Sequence, residues 1–259
     1  MTLAMGSRLR RLDEMRRLAV ALVAVLAMGA GSPSDIVPAF FKALDKHDAA
    51  AVAALLHPEA ALWKLGEDRP AAFGRDAVRE FFLSRFRDFP KWRTKGVNPI
   101  AAGAFVAVRE RATPEPGERS RETLFLFEMR EGVIRRVWAM EGRGEGGGEG
   151  AAALLVEKWN DRDLPRFLAL FDDGASLWEL PSGRRLAAGE DALRARLEGS
   201  FEDSSHGRLE VTGRLSLPPW VVYRSRGLMD AEQPAGESLT IYEVADNLVR
   251  RVWYVREGP

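Results

Sequence analysis

Two Arg–Glu pairs recur at matching places in the sequence and could bind the polar group of a ligand in a pocket. Arg109 and Glu122 form the first pair, and Arg224 and Glu237 form the second, 115 residues further on (109 to 224). Such a pair could hold a ligand's carboxylate or hydroxyl group, because it offers both charge-assisted donors and acceptors. The alternative is an ion pair at a sheet edge, which contributes little to stability.

Aromatic residues recur in the same way and could line a ligand cavity, since aromatic side chains dominate the walls of such sites. The alternative is that they pack in a core or between domains. The second half of the sequence also carries tyrosines, which makes it the more polar half and the favoured place for a site. The candidates are Trp63, Trp138, Trp178, Tyr223, Tyr242 and Trp253.

No pattern in the sequence indicates a metal, a cofactor or a nucleic acid. The chain has no cysteine, and its three histidines neither recur nor form a pair at ligand spacing. No Gly-rich loop has the spacing that cradles a phosphate. Lys+Arg and Asp+Glu are both 38, so the net charge is zero and provides no electrostatic footprint for nucleic acid or an anionic membrane.

The candidate residues are positioned by a repeat that has the length of a small domain. The stretch from Ala61 to Phe82 returns without a gap from Ser176 to Leu197, so that Trp63 corresponds to Trp178 at an offset of 115. This period exceeds the ~20–50 residues of solenoid repeats and matches a whole domain. The 259-residue chain is therefore predicted to contain a duplicated domain.

Each copy is predicted to form three helices, a short two-stranded element and four antiparallel strands. Asp48 and Asp163 are typical N-caps of second helices, and Gly74 marks the start of a third helix. Glu131-Gly132 and Asp246-Asn247 supply the positive φ that a two-residue hairpin turn needs. This register predicts four opposite-charge pairs across neighbouring strands: Glu128 with Arg135, Glu243 with Arg250, Arg109 with Glu122, and Arg224 with Glu237.

One strand, Leu124-Phe125-Leu126-Phe127, is apolar on both of its faces. An antiparallel sheet with one face in water should alternate, so both faces of this sheet are predicted to be covered. Helices would cover one face and the duplicated domain the other. A Gly-rich linker over residues 142–150, with a reach of roughly 15–20 Å, allows the two sheets to pack face to face.

The N-terminus has the pattern of a secretory signal peptide. Met15-Arg16-Arg17 precedes an apolar run from Leu18 to Met28, and small residues follow up to Gly31. The run has about half of the ~20 residues that span a bilayer, and the alternative is an amphipathic N-terminal helix. We expect residues 1–31 to be removed on export, with Met15 as the start of translation, followed by domains at 32–141 and 151–259.

With these elements in place, the sequence resembles the NTF2-like superfamily, and most closely its SnoaL-like branch with the ketosteroid isomerases. The resemblance implies an α+β fold of two tandem cone-shaped domains, each with three helices packed on a curved antiparallel sheet, forming an intramolecular pseudo-dimer. It implies little about function, because this fold hosts many activities. The matching motifs are Asp48, His57-Pro58-Glu59, Leu62-Trp63, residues 74–82 and 132–136, and in the second copy Asp163, Leu177-Trp178, residues 189–194 and Asn247 onward.

The resemblance allows the ketosteroid isomerase residues to be checked one by one. The family's tyrosine corresponds to Phe40 and Leu155, its late-strand acid to Leu124 and Leu239, and its base to Lys64 and Glu179. Glu179 therefore lacks the oxyanion partners, whose loss typically costs about 3–4 kcal/mol each, and isomerase activity is not expected. Glu179 is a candidate general base if an apolar cavity raises its pKa. The alternative is a solvated strand residue, which Lys64 at the matching place favours.

We therefore predict an exported tandem SnoaL-like protein that binds a small, mostly apolar ligand in one or both cones without a cofactor or a metal. One alternative is a SnoaL-type isomerase, cyclase or hydrolase for a cyclic or polyketide-like substrate, with Glu179 as its base. The other is a non-catalytic protein-interaction module whose cones are filled with side chains. A binder or an enzyme needs an open cone of roughly 300 Å³ or more.

Overall fold

Two six-stranded sheets, one in each half of the chain, form the framework of the protein. The computed structural model describes residues 32–142, 148–202, 207–228 and 234–256. The predicted signal peptide and residues 143–147 of the predicted linker lie outside these ranges. Within them, no helix combines the length and the apolar character needed to cross a membrane.

The first domain follows the predicted order of elements. Its helices are α1 (Pro33–Asp45), α2 (Ala49–Ala54) and α3 (Arg75–Asp88). Its strands are β1 (Leu56–Lys64), β2 (Ala72–Phe73), β3 (Arg93–Ala102), β4 (Phe105–Thr113), β5 (Arg121–Arg130) and β6 (Val133–Glu141). The first strand begins at Leu56 and includes His57 and Pro58.

The second domain repeats this order. Its helices are α4 (Glu149–Asn160), α5 (Leu164–Leu168) and α6 (Glu190–Glu202). Its strands are β7 (Phe171–Leu180), β8 (Arg184–Ala188), β9 (Arg208–Leu217), β10 (Trp220–Leu228), β11 (Pro234–Ala245) and β12 (Leu248–Val255). The helix α4 starts at Glu149, inside the segment predicted to be the linker.

Both sheets have the same strand order. The first runs β2-β1-β6-β5-β4-β3 and the second β8-β7-β12-β11-β10-β9. Strands β1 and β6 are parallel, as are β7 and β12, and the other neighbours are antiparallel. The predicted α+β fold of two tandem domains is confirmed.

Local sequence signals account for the helix starts. The carboxylate of Asp48 accepts a hydrogen bond from the backbone N–H of Ala51 at 2.9 Å, and Asp163 accepts from Arg166 at 3.1 Å. These bonds satisfy N–H groups that have no partner inside the helix. Gly74, immediately before α3, has a φ of 89°, a conformation that glycine adopts without strain.

The predicted cross-strand register is wrong by one residue in the β5–β6 hairpin and by two in the β4–β5 pair. Glu131 and Gly132 have the expected positive φ, but a bulge after Glu128 then places it opposite Arg136. The second domain has the same bulge, and Glu243 lies opposite Arg251. The connection between β4 and β5 spans residues 114–120, and the register places Arg109 opposite Leu124 and Glu122 opposite Arg111. In the second domain, Arg224 likewise lies opposite Leu239 and Glu237 opposite Arg226.

The two sheets pack against each other face to face, as the strand with two apolar faces predicts. In β5, Leu124 and Leu126 face the second domain, whereas Phe127 belongs to the core beneath the helices. The buried contact between the sheets, which we call the interdomain core, includes Leu126, Trp138, Ile241 and Trp253. The indole N–H of Trp220 also donates to the carbonyl of Glu141 in the first domain at 2.9 Å. The intramolecular pseudo-dimer is therefore confirmed.

Candidate ligand-binding cavity in the second domain

The cone of the second domain encloses a cavity of about 460 Å³ between its helices and its sheet. Helices α4, α5 and α6 provide one wall, and strands β7 and β9 to β12 provide the other. The volume lies within the range of ~300–1,000 Å³ that is typical of small-molecule sites. The apolar lining residues are Leu155, Val156, Trp159, Phe167, Phe171, Leu177, Leu197, Leu209 and Val252.

In the first domain the corresponding space is filled by a cluster of phenylalanines. The ring of Phe40 lies 5.3 Å from that of Phe127 and 5.8 Å from that of Phe82, centroid to centroid. Phe41 lies 6.2 Å from Phe125. These are edge-to-face contacts, the arrangement that aromatic rings favour in cores. A groove of about 460 Å³ borders the cluster at Phe41, between α1 and strands β3 and β4, and Arg224 of the second domain also lines it.

The constant offset of 115 residues allows the two cones to be compared position by position (40 to 155, for example). At five positions of the phenylalanine cluster, the second domain has a smaller side chain than its counterpart at four and a hydroxyl group at two. Other lining positions carry larger side chains, such as Trp159 in place of Leu44 and Phe167 in place of Val52, so the interior volume is redistributed between helices and sheet. The replacements, from first to second domain, are Phe40 to Leu155, Phe41 to Val156, Phe82 to Leu197, Phe125 to Thr240, and Phe127 to Tyr242.

Hydroxyl groups line the sheet side of the cavity. The rings of Tyr223 and Tyr242 pack edge to face, with centroids 5.6 Å apart, and Tyr254 and Thr240 are cross-strand partners. Burial raises the pKa of Tyr242 above its ordinary value, and the neighbouring tyrosines add to this effect. Burial also raises the pKa of Tyr254. Both phenols are therefore neutral at physiological pH and can donate hydrogen bonds to a ligand.

Two arginines lie where the cavity meets solvent. Arg196, on α6, and Arg256, just after β12, both line the cavity and are exposed. The backbone N–H of Arg256 donates to the carbonyl of Leu180 at 3.0 Å, which fixes this residue beside the strand pair. Burial raises the pKa of Tyr254 as described, and the charges of Arg256 and Arg196 oppose that rise. The charge of Arg256 also helps to lower the pKa of Glu179, so this arginine lies near an acid as well as the cavity.

The predicted site residues fall into two groups in the structure. Tyr223 and Tyr242 line the cavity, as does Tyr254. The four tryptophans lie on the opposite face of the sheets: Trp138 and Trp253 are in the interdomain core, and Trp63 and Trp178 pack at its border. There they line an interdomain groove of about 390 Å³. Their position corresponds to the alternative interpretation, packing between domains.

The two Arg–Glu pairs also lie outside the cones. Arg109 and Glu122 are 3.5 Å apart, and Arg109 donates a second hydrogen bond to the carbonyl of Ser216 in the other domain. Arg224 lies 3.8 Å from Glu237 and also donates to the hydroxyl of Thr212. Each pair is partly exposed, so it contributes little energy as an ion pair. Both pairs lie on interior strands and reach the other domain, Arg109 through the carbonyl of Ser216 and Arg224 at the groove beside α1.

Glu179 does not have the apolar surroundings that a raised pKa requires. Its carboxylate accepts hydrogen bonds from Arg184, at 3.0 Å from Nη2, and from Ser182. The bond from Arg184 holds the pKa of Glu179 below its ordinary value. The expectation of a raised pKa is therefore wrong, because a guanidinium beside the carboxylate stabilises its charged form. Glu179 is also not among the residues that line the cavity.

One buried acid was not singled out by the sequence. Glu110 is only 4% exposed, and the hydroxyl of Thr94 donates to its carboxylate at 2.6 Å. Burial raises the pKa of Glu110, whereas Thr94 and the charge of Arg85 oppose the rise. In the sequence it stands between Arg109 and Arg111 and resembles a surface charge. Glu110 differs from its two neighbours because its side chain lies on the buried face of β4.

The comparisons with known proteins concern the fold. Residues 37–137 match the family model described as a SnoaL-like domain. No curated protein matches the sequence. This match confirms the predicted resemblance of the first domain to a SnoaL-like domain, and the sheet of the second domain repeats its strand order. Within the first domain, the match covers the elements from α1 to β6.

Three solved structures illustrate the similarity. A cystatin-fold protein from Novosphingobium aromaticivorans is 15% identical, with 41% of this chain and 96% of that chain covered and a TM-score of 0.38. A proposed polyketide cyclase from Sinorhizobium meliloti is 20% identical, with 41% and 94% covered and a TM-score of 0.36. A proposed ketosteroid isomerase from Kribbella flavida is 19% identical, with 45% and 84% covered and a TM-score of 0.37.

Proposed function

We propose that this protein binds a small, mostly apolar molecule in the cavity of its second domain. The observation that carries the proposal is the difference between the two cones. The first is packed with phenylalanine rings, whereas the second keeps about 460 Å³ of space at the same place. An empty space of this size weakens packing and costs stability, which a ligand would restore on binding.

The chemistry of the cavity supports the same proposal. Its walls are mainly aliphatic and aromatic, so burial of an apolar molecule would be driven by the hydrophobic effect. Six hydroxyl groups among the described lining residues lie along the sheet side, those of Tyr223, Ser225, Ser238, Thr240, Tyr242 and Tyr254. Such groups orient a ligand and select among ligands of similar shape.

The two rival functions have less support. An enzyme of the isomerase, cyclase or hydrolase type needs an acid or base aimed at the substrate. The titratable residues among the described lining of the cavity are three tyrosines with raised pKa values and two arginines, neither a base near neutral pH. An interaction module needs filled cones, which describes the first domain but not the second.

The test is to fill the second cone in the way the first is filled. The double variant Leu155→Phe/Thr240→Phe places rings at the positions of Phe40 and Phe125. N-phenyl-1-naphthylamine, a neutral dye that fluoresces in apolar surroundings, is the probe. We expect the wild-type protein to bind the dye and the double variant to bind it at least tenfold more weakly, because the rings occupy its place.

The matched control is Leu154→Phe, which adds the same ring one residue earlier on α4, at a side chain that is 42% exposed. This variant should bind the dye as the wild type does. Equal binding by all three proteins would place the dye elsewhere and refute the proposal. Circular dichroism before each titration shows that the variants are folded.

We also propose, from the N-terminal pattern alone, that the protein is exported. The measurement is the N-terminal sequence of the mature protein from its own host. A start near residue 32 in the exported fraction supports the proposal, and an intact N-terminus inside the cell contradicts it.

A further inference from the structure

Two positive charges border the mouth of the apolar cavity, at positions that carry no positive charge in the first domain. The positions of Arg196 and Arg256 correspond to Phe81 and Glu141 in the first domain (81 to 196 and 141 to 256). The same backbone thus has an apolar ring and an acid at one cone, but two guanidinium groups at the other. Because the fold is shared, it does not explain this charge difference.

Neither guanidinium group forms an ion pair within the part of the chain that the structure describes. Other exposed arginines of the second domain do: Arg194 lies 3.0 Å from Glu190, and Arg184 lies 3.0 Å from Glu179. Arg196 is on the same helix as Arg194, but on the face that also carries Ser200 towards the cavity. Residues four apart on a helix share a face, so Arg196 and Ser200 both lie on the side of α6 towards the cavity.

The two charges and the hydroxyl groups form a continuous polar strip from the mouth into the cavity. Tyr254 lies within the electrostatic influence of both Arg196 and Arg256. Thr240 is the cross-strand partner of Tyr254 and also interacts with Tyr242. A molecule bound with its apolar part among the aliphatic walls would therefore present its polar end to two cations and to neutral hydroxyl donors.

We propose that the ligand of the second domain is an apolar carboxylic acid, whose carboxylate lies at the mouth between Arg196 and Arg256. This inference rests on the proposed function and specifies its ligand class. Arginine suits the role because its planar N–H groups match the geometry of a carboxylate. The low-dielectric walls of a cavity strengthen such an attraction relative to open solvent.

The experiment compares an acid with a neutral molecule of the same chain length. Decanoate and 1-decanol are titrated at pH 7.5 against protein carrying bound N-phenyl-1-naphthylamine, and dye displacement is measured. We expect decanoate to displace the dye at a concentration at least tenfold lower than 1-decanol. Raising the NaCl concentration should reduce this preference, because salt screens charges near the surface.

Charge-removing variants assign the preference to the two arginines. In Arg196→Gln/Arg256→Gln, decanoate should lose its advantage to within about twofold of 1-decanol, with both ligands measured on the same variant. Arg194→Gln is the matched control, since it removes a charge from the same helix outside the cavity. It should keep the preference of the wild type. All three residues are at the surface, so folding should be preserved, and circular dichroism checks this.

The outcomes separate the two proposals. If the dye binds the cavity but decanoate displaces it no better than 1-decanol, or not at all, the acid is the wrong ligand class and this inference is overturned. A preference that survives in Arg196→Gln/Arg256→Gln overturns it as well. If the dye itself binds no better to the wild type than to Leu155→Phe/Thr240→Phe, the proposed function fails instead.

Discussion

The first and second domains share one backbone plan but use the interior of the cone differently. Equivalent strands pair in the same order, equivalent aspartates cap the second helices, and both β5–β6 and β11–β12 carry a bulge at the equivalent glutamate. Inside, rings of Phe40 and Phe127 meet in one cone, and a cavity separates helices from sheet in the other. The backbone is set by local and cross-strand signals, whereas the cavity is set by a few side-chain volumes.

This difference indicates how a duplicated domain can acquire a site without losing its fold. Helix caps, turns and the interdomain core lie away from the residues that open the second cone. Replacing a phenylalanine by leucine or threonine in a packed core costs stability, but it leaves the strand order intact. The first domain, with its filled cone, can provide part of the stability that the second domain gives up.

The largest expected effect is on the filled cone. Phe127 is fully buried and contacts Phe40 and Phe41, so Phe127→Ala should lower the free energy of unfolding by about 3–5 kcal/mol. Tyr242→Ala, at the equivalent place, should cause a smaller loss in the free energy of unfolding, by at least ~1 kcal/mol, because the tyrosine already borders empty space. Urea unfolding followed by circular dichroism measures both. Equal losses would show that the two cones are packed alike.

A smaller and equal effect is expected where the domains are alike. Asp48→Ala and Asp163→Ala each remove one N-cap hydrogen bond, and each should lower the free energy of unfolding by about 1 kcal/mol. The same urea experiment applies, with Asp68→Ala in an exposed turn as a control that should change little. A clearly larger loss in one domain would mean that the helix starts are not equivalent.

The smallest expected effect is the change of stability with pH that Glu110 causes. Its counterpart in the second domain is Ser225 (110 to 225). Burial raises the pKa of Glu110 in the folded protein. In the unfolded chain the carboxyl group of Glu110 loses its proton near its ordinary pKa of 4.5, whereas in the folded protein it keeps the proton to a higher pH. The stabilising contribution of Glu110 therefore falls as pH rises from the unfolded pKa to the folded pKa, and then stays constant.

Glu110→Gln keeps an acceptor for Thr94 but cannot ionise. Its melting temperature relative to the wild type should therefore increase between pH 4 and pH 8. Ser225→Ala is the control, because no ionisable group is removed and its difference from the wild type should be independent of pH. A pH-independent difference for Glu110→Gln would show that Arg85 compensates fully for burial.

The sequence predicted the fold because the signals of the fold are local or repeated. The caps at Asp48 and Asp163, the positive-φ turn at Glu131-Gly132 and the constant offset between copies are all visible without coordinates. The strand with two apolar faces even predicted the packing of one sheet on the other. Each of these features depends on residues that are close together in the chain or on a pattern that occurs twice.

The register and the site could not be predicted in the same way. A bulge depends on how two strands fit together, and the one after Glu128 moved its partner from Arg135 to Arg136. The side of the sheet on which a tryptophan lies follows from such details, so Trp138 could be placed in a cone or between domains with equal ease. To predict the cavity, one must know that positions 40, 82, 125 and 127 meet in space. Only with that knowledge do the smaller residues of the second copy indicate an opening.

The packing of the two sheets also has a consequence for how the protein can change over time. Two separate copies would cover these sheet faces only at concentrations that favour association, whereas one continuous chain does so at any dilution. A symmetric pair of identical chains would also acquire every substitution twice. Fusion removes both constraints, so that one half can be altered residue by residue while its neighbour continues to shield the shared apolar surface.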